Sequence, residues 1–147
     1  MSALALATLL ALTGCRNDIS LQEVKSRIAV SSELIDVGEI PLGETHTFTL
    51  GLLGVRGGEV AIRSVELVNT QGDFFEHDGE LAVVPSYGST ALGFSYTPMA
   101  LGYHQARVTI VSDAMEQPTF VVTLRGRART PRATLTPSLL DFGPVEV

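Results

Sequence analysis

From Arg27 onward the apolar residues of this chain fall on alternate positions, and this period of two restricts its fold more than any other feature. A strand with one buried face reads this way, because successive side chains leave a pleated backbone on opposite sides. His46, Phe48, Leu50 and Leu52 point one way, while Thr45, Thr47, Thr49 and Gly51 point the other. Thr90, Leu92, Phe94 and Tyr96 form a second such face, Ala106, Val108 and Ile110 a third, and Phe120, Val122 and Leu124 a fourth. Between Val60 and Leu67 the phase changes, since Val60 and Ile62 share a parity that Val65 and Leu67 do not. A bulge near Ser64, or a break into two strands, restores a single buried side. Gly38, Pro41-Leu42-Gly43, Gly54, Gly57-Gly58, Gly72, Gly79, Pro85, Gly88, Pro98, Gly102 and Pro118 punctuate the runs. No stretch past residue 26 has helical periodicity. The pattern predicts an all-β chain, an antiparallel sandwich of about seven short strands.

A different pattern precedes it. Ala3 to Leu12 is apolar but shorter than the roughly 20 residues that cross a bilayer as a helix, and it suits the h-region of a secretory signal. It leads through Thr13-Gly14 into Cys15, the one cysteine of the chain. Leu12-Thr13-Gly14-Cys15 resembles the lipobox of bacterial lipoproteins, with the difference that Met1-Ser2 carries no Lys or Arg. The resemblance implies cleavage between Gly14 and Cys15, diacylglycerol on the thiol, and acylation of the new amine. Each buried methylene contributes about 0.8 kcal/mol, so two or three acyl chains hold a small domain at a membrane without any spanning helix. The expected location is the cell envelope after export, and Arg16 directly after the cysteine points to the outer membrane by analogy with lipoprotein sorting.

The formal charge of −6 and a pI near 4.9 exclude the basic surface that polyanion binding requires, so nucleic acid is not an expected partner. Residues 1–14 read as the signal peptide and 15–26 as a polar tether. Residues 27–128 make the sandwich, and 129–147 a hinge with the truncated start of a second repeat. The repeat is internal evidence: Val30-Ser31-Ser32-Glu33-Leu34-Ile35-Asp36-Val37-Gly38-Glu39-Ile40 aligns without gaps on Leu135-Thr136-Pro137-Ser138-Leu139-Leu140-Asp141-Phe142-Gly143-Pro144-Val145.

Leu139-Leu140-Asp141-Phe142-Gly143 and its weaker copy Leu34-Ile35-Asp36-Val37-Gly38 resemble the opening of ASH (abnormal-spindle/Hydin-type) immunoglobulin-like domains and the related choice-of-anchor D modules. Further landmarks follow in order: Val60-Ala61-Ile62, Phe74, Tyr96-Thr97-Pro98 with Gly102, Val108-Thr109-Ile110-Val111-Ser112-Asp113, and Leu124-Arg125-Gly126-Arg127-Ala128 with alanine where the family closes on glycine. Two loops depart from the pattern, at Leu52-Leu53-Gly54 and at Pro85-Ser86-Tyr87-Gly88. The resemblance implies an immunoglobulin-like scaffold or adhesion module, often repeated, with no catalytic residues.

The residues themselves agree with a non-enzyme. There is no Gly-x-Ser-x-Gly elbow, the lone cysteine is assigned to the anchor, and His46, His77 and His104 form no His-x-x-x-His pair. His46 and His104 read as strand-end residues, half buried and hydrogen-bonded. The acidic stretch Asp73, Glu76, Asp78 and Glu80 offers oxygen ligands of the kind calcium takes, but without the order of an EF-hand and with Phe74-Phe75 turned inward. A solvated loop is the plainer reading. Arg125, Arg127 and Arg129 recur every second residue and would form one basic stripe able to contact anionic polymers, or the wet face of a strand. The expected function is a lipid-anchored structural spacer or protein-interaction and adhesion module that uses no cofactor. Its partners are the membrane through the lipid and other envelope proteins. The alternatives are a ligand-binding surface protein, through calcium at residues 73–80 or an anionic polymer at the arginines, and the stalk of an enzyme whose catalytic domain lies beyond residue 147.

Overall fold

A computed structural model describes residues 24–132. The lipobox-like segment with Cys15 and the second repeat copy from Leu135 lie outside the described residues. Nine strands follow one another: β1 (Arg27–Val30), β2 (Leu34–Pro41), β3 (His46–Arg56), β4 (Val60–Asn69), β5 (Phe75–His77), β6 (Val83–Val84), β7 (Ser89–Tyr96), β8 (Gly102–Ser112) and β9 (Thr119–Arg129). They make two sheets, β1-β3-β7-β5 and β2-β9-β8-β4-β6, packed face to face as an immunoglobulin-like β-sandwich. The count exceeds seven because β5 and β6 are short edge pieces of three and two residues, and because the opening segment is divided between β1 and β2.

That division is local chemistry. Ser31 donates its amide to the Gly51 carbonyl at 2.9 Å, and its Oγ accepts the Gly51 amide at 3.1 Å, which ends the pairing of β1 with β3. Ser32 Oγ then accepts the Leu34 amide at 3.2 Å, and the chain crosses to the other sheet. There β2 lies parallel to β9, the one parallel pairing between named strands. All other strand pairs are antiparallel, as the turn-rich sequence predicts.

The inward positions are those of the alternating pattern. Leu50, Leu52, Leu92, Phe94 and Tyr96 bury themselves from one sheet against Ala106, Val108, Ile110, Phe120, Val122 and Leu124 from the other. The phase change in β4 is a bulge, with the register on β8 shifting between Ile62 and Ser64. It brings Val65 and Leu67 back against the core that Val60 and Ile62 already face. A second shift, between Asp36 and Glu39, kinks edge strand β2 at Gly38, whose φ of 78° favours glycine. Asp36 Oδ1 accepts the Gly38 amide at 3.0 Å across the kink, so the Asp-x-Gly of the repeat motif is the bulge itself.

The sandwich has two poles. At the proximal pole the chain enters at Ser26, among the β3–β4, β6–β7 and β8–β9 turns. At the distal pole β9 ends, where the Arg129 carbonyl accepts the Leu42 amide at 2.9 Å and the Pro98 carbonyl accepts the Gly43 amide at 2.8 Å.

Candidate functional site

Three groups of side chains could carry chemistry, and the fold treats each differently. The parallel pairing of β2 and β9 sets acids opposite the arginine stripe, Asp36 beside Arg125 and Glu39 beside Arg127. Arg125 donates from Nε and Nη2 to Asp36 Oδ2 at 3.1 and 2.7 Å, and Arg127 donates from Nη1 to Glu39 Oε1 at 2.9 Å while lying 5.1 Å over the Tyr103 ring. The expected basic stripe is therefore a compensated ladder of ion pairs. Among the described residues only Arg129 of the three makes no ion pair. An incoming anion would have to displace two carboxylates already in place. The Arg125 hydrogen bond, helped by the Gly38 amide, holds the Asp36 carboxyl below the usual carboxylate range.

Asp36→Ala removes both the ion pair and the acceptor for Gly38. With about half the side chain in water, the loss is about 1 kcal/mol or less, a fall of about 4 °C in melting temperature. Because the folded carboxyl is the stronger acid, this contribution is complete above about pH 4 and fades as the pH falls through the lowered value. An unchanged thermal melt at pH 7 would remove the ladder from the stabilising contacts.

The acidic stretch is held by its aromatic neighbours. Phe75 is buried and stacks 4.5 Å from Tyr96, and the Asn69 amide clamps its backbone by two hydrogen bonds of 3.0 Å. Phe74 packs its ring 4.3 Å from that of His104. These contacts turn Phe74-Phe75 inward, as the sequence predicts, and leave the acids apart. Asp73 precedes β5, Glu76 is exposed within it, and Asp78 folds across Gly93, where a Cβ would meet its Oδ2 at 2.0 Å. Asp78 Oδ1 accepts the Glu80 amide at 3.0 Å. Among the described residues no three or more His, Cys, Asp or Glu side chains are grouped to hold a metal ion. Asp78, Glu76 and His77 edge an open cleft of about 460 Å³ shared with Thr47, Thr49 and Ser95.

The third group lies in the core. Tyr96 of one sheet shares a 2.7 Å hydrogen bond with His104 Nδ1 of the other, and both residues are buried. Burial pushes the Tyr96 hydroxyl up and the His104 imidazole down from their ordinary values, so both stay neutral near pH 7. His104 is thus fully buried rather than half buried, and the link between sheets is structural. His46 departs in the opposite direction: it opens β3 exposed, its ring 6.4 Å from Phe48.

These arrangements bond, brace and cover. Solved structures supply the fold's context. The ASH/PapD-like domain 7 of human CEP192 is similar over 89% of this chain and all of that domain, at 13% identity and a TM-score of 0.58. A protein of unknown function from Porphyromonas gingivalis W83 matches over 76% of this chain and 51% of its own, at 17% identity and a TM-score of 0.60. The periplasmic chaperone SfaE matches over 76% of this chain and 60% of its own, at 12% identity and a TM-score of 0.50. The chain thus spans about half the length of the Porphyromonas protein. No family model matches the sequence, and no curated protein does. At these identities the likeness establishes the fold, the immunoglobulin-like sandwich that an ASH/PapD-like domain also has.

Two features escape a reading of the sequence. Asp36 and Glu39 are found as partners of the arginines only once β2 is known to lie parallel to β9, although the recurrence of Asp-x-Gly at Asp141 was a signal. Tyr87 has a φ of 55° and is 73% exposed, a strained turn position that displays an aromatic ring to solvent. The long Pro85-Ser86-Tyr87-Gly88 loop, a departure from the family pattern, is what presents it.

Proposed function

We propose that this chain is a non-catalytic, lipid-anchored cell-envelope protein whose sandwich is a spacer and a protein-interaction or adhesion module. The observation that carries the reading is the placement of the two ends at opposite poles. The chain enters at Ser26 and β9 leaves at Arg129, with the 11 residues of β9, about 35 Å, running between the poles. In this reading the chain after β9 leaves from the pole opposite the one at which the anchored segment enters, so modules that followed would extend away from the anchor. A chain whose ends shared a pole would fold back and space nothing.

The side chains support a working surface made for contact. Ion pairs occupy Arg125 and Arg127, the acids of residues 73–80 form no metal-holding group among the described residues, and the buried Tyr96–His104 pair ties the sheets together. A solved structure of similar fold is the periplasmic chaperone SfaE. Loops and the exposed edges of β2 and β6 are the natural contact elements.

The anchor is tested by Cys15→Ser. Wild-type protein should fractionate with membranes and incorporate labelled palmitate, and the variant should be soluble and unlabelled. Membrane retention of an unlabelled Cys15→Ser protein would overturn the lipid anchor.

A further inference from the structure

Eight residues lie between Cys15 and Val24, where the described chain begins at the proximal pole. Ser26 is locked there. Its Oγ accepts the Met115 amide and its carbonyl accepts the Glu116 amide, both at 3.1 Å. Gly57 approaches so closely that a Cβ would lie 2.5 Å from Ser26 Cα. Ser86 Oγ donates to the Gly57 carbonyl, which joins the β6–β7 turn to the same end. Around this rigid junction four apolar side chains are exposed: Val24 at 62%, Val55 at 37%, Tyr87 at 73% and Met115 at 54%.

Charge at this pole runs against the charge of the chain. Lys25, Arg27 and Arg56 surround Glu116, with Glu59 in the adjoining turn and the Arg63–Asp113 ion pair beside it, so four cations face three carboxylates in a protein of net charge −6. The hydrogen bond from Arg56, with Arg27 and Lys25 nearby, holds the Glu116 carboxyl below the usual range, so it remains ionised and the local excess is cationic at neutral pH. Among the described residues Lys25 and Arg27 make no ion pair within 4 Å.

An exposed tyrosine, aliphatic and thioether side chains, and long cations at one end match the chemistry of a bilayer interface. There an amphipathic ring sits among headgroups, apolar tips reach below them, and Lys and Arg meet phosphate. The nine Cα-to-Cα steps from Cys15 to Val24 span at most about 30 Å when extended, so an acyl chain on Cys15 keeps this pole, rather than the distal one, at the lipid. We propose that the proximal pole rests on an anionic lipid bilayer, with Tyr87, Met115 and Val24 among the headgroups and Lys25, Arg27 and Arg56 toward lipid phosphates, so that the distal pole faces outward. The inference rests on the anchor reading of Cys15 and adds to it a docking surface and an orientation.

The chain has no tryptophan, so one substitution gives an unambiguous reporter. Residues 15–147 are coupled through the Cys15 thiol to a maleimide lipid in phosphatidylcholine vesicles with or without phosphatidylglycerol. Tyr87→Trp reports on the proximal pole and Met99→Trp on the distal one, with Met115→Trp taking the proximal place if the first variant does not fold. With phosphatidylglycerol present, the Tyr87→Trp emission should move to the blue and be quenched about twofold by brominated acyl chains, while Met99→Trp is unaffected. Lys25→Gln with Arg27→Gln, or high salt, should weaken that quenching. No quenching at position 87, or equal quenching at both poles, overturns the proposal. A blue shift that grows with protein density but shows no bromolipid quenching also overturns it and assigns the pole to a second copy. Because the lipid is attached chemically, these outcomes are independent of whether cells acylate Cys15, which the palmitate experiment reads.

Discussion

Replacing Gly126 by valine should cost about 3 kcal/mol or more, and Gly126→Ala about 1–2 kcal/mol, in urea unfolding at neutral pH. Gly126 sits on the inward face of β9, between Leu124 and Ala128 and directly across the ladder from His104. Its φ is not in the left-handed region, so backbone freedom does not explain the glycine. Space does: a Cβ there would lie 2.7 Å from Tyr96 Cε1 and 2.8 Å from Val37 Cγ2. Neither neighbour can yield freely. Tyr96 is fully buried, stacked on Phe75 and hydrogen-bonded to His104, and Val37 packs from the kinked edge strand β2. Alanine recovers some stability by stiffening the unfolded chain, by about 0.4–1 kcal/mol, which is why its net cost is the smaller. Valine adds two methyl groups to a contact that is already too short. Gly126→Ala as stable as wild type would show that the Tyr96 ring can move, and would remove this account of the closing Leu-x-Gly motif.

Legibility of the fold followed the physical range of each determinant. Alternation is a property of single strands, so the inward faces of β3, β7, β8 and β9 could be read directly, and even the bulge at Ser64 followed from a parity change. Pairing is a property of strands far apart in the chain, and nothing local to Leu34–Pro41 says that it lies parallel to β9 rather than antiparallel to β3. The division at Ser31-Ser32 is equally silent in sequence, because it depends on Ser31 meeting Gly51 from another strand.

The candidate sites were legible in composition and not in partnership. Three alternating arginines announce a basic stripe, and only the parallel register reveals that Asp36 and Glu39 answer two of them. Four acids within eight residues suggest a cation, yet burial of Phe75 and the fold of Asp78 over Gly93 separate the carboxylates. At the proximal pole the members come from four distant parts of the sequence, Val24-Lys25, Val55-Arg56, Tyr87 and Met115-Glu116. No window of the sequence contains them, and only the meeting of three turns makes them one surface.

Lowering the pH from 7 to 5 should destabilise the protein through His104, and His104→Leu should flatten that part of the curve while lowering stability at pH 7 by about 2 kcal/mol. The imidazole lies in the core, its Nδ1 bonded to the Tyr96 hydroxyl at 2.7 Å and its ring 4.3 Å from Phe74. Charging it there forfeits hydration that the unfolded chain retains, and burial accordingly lowers its pKa in the fold. The sign follows from which state binds the proton first. An unfolded His104 protonates near its ordinary value, about 6.5, while the folded one stays neutral to lower pH, so the unfolded state takes up more protons across that interval. Stability is therefore complete above about pH 6.5, declines as the pH falls below it, and stops declining on this account once the folded imidazole also protonates. In His104→Leu the titration is gone but Tyr96 keeps a buried hydroxyl without its partner, which is the source of the loss at neutral pH. Tyr96→Phe reverses the roles: it removes the hydroxyl, leaves His104 Nδ1 unpartnered, and should retain the slope between pH 7 and 5 that His104→Leu loses. If wild type and His104→Leu show the same slope, His104 is neither the origin of the acid sensitivity nor a buried neutral link between the sheets.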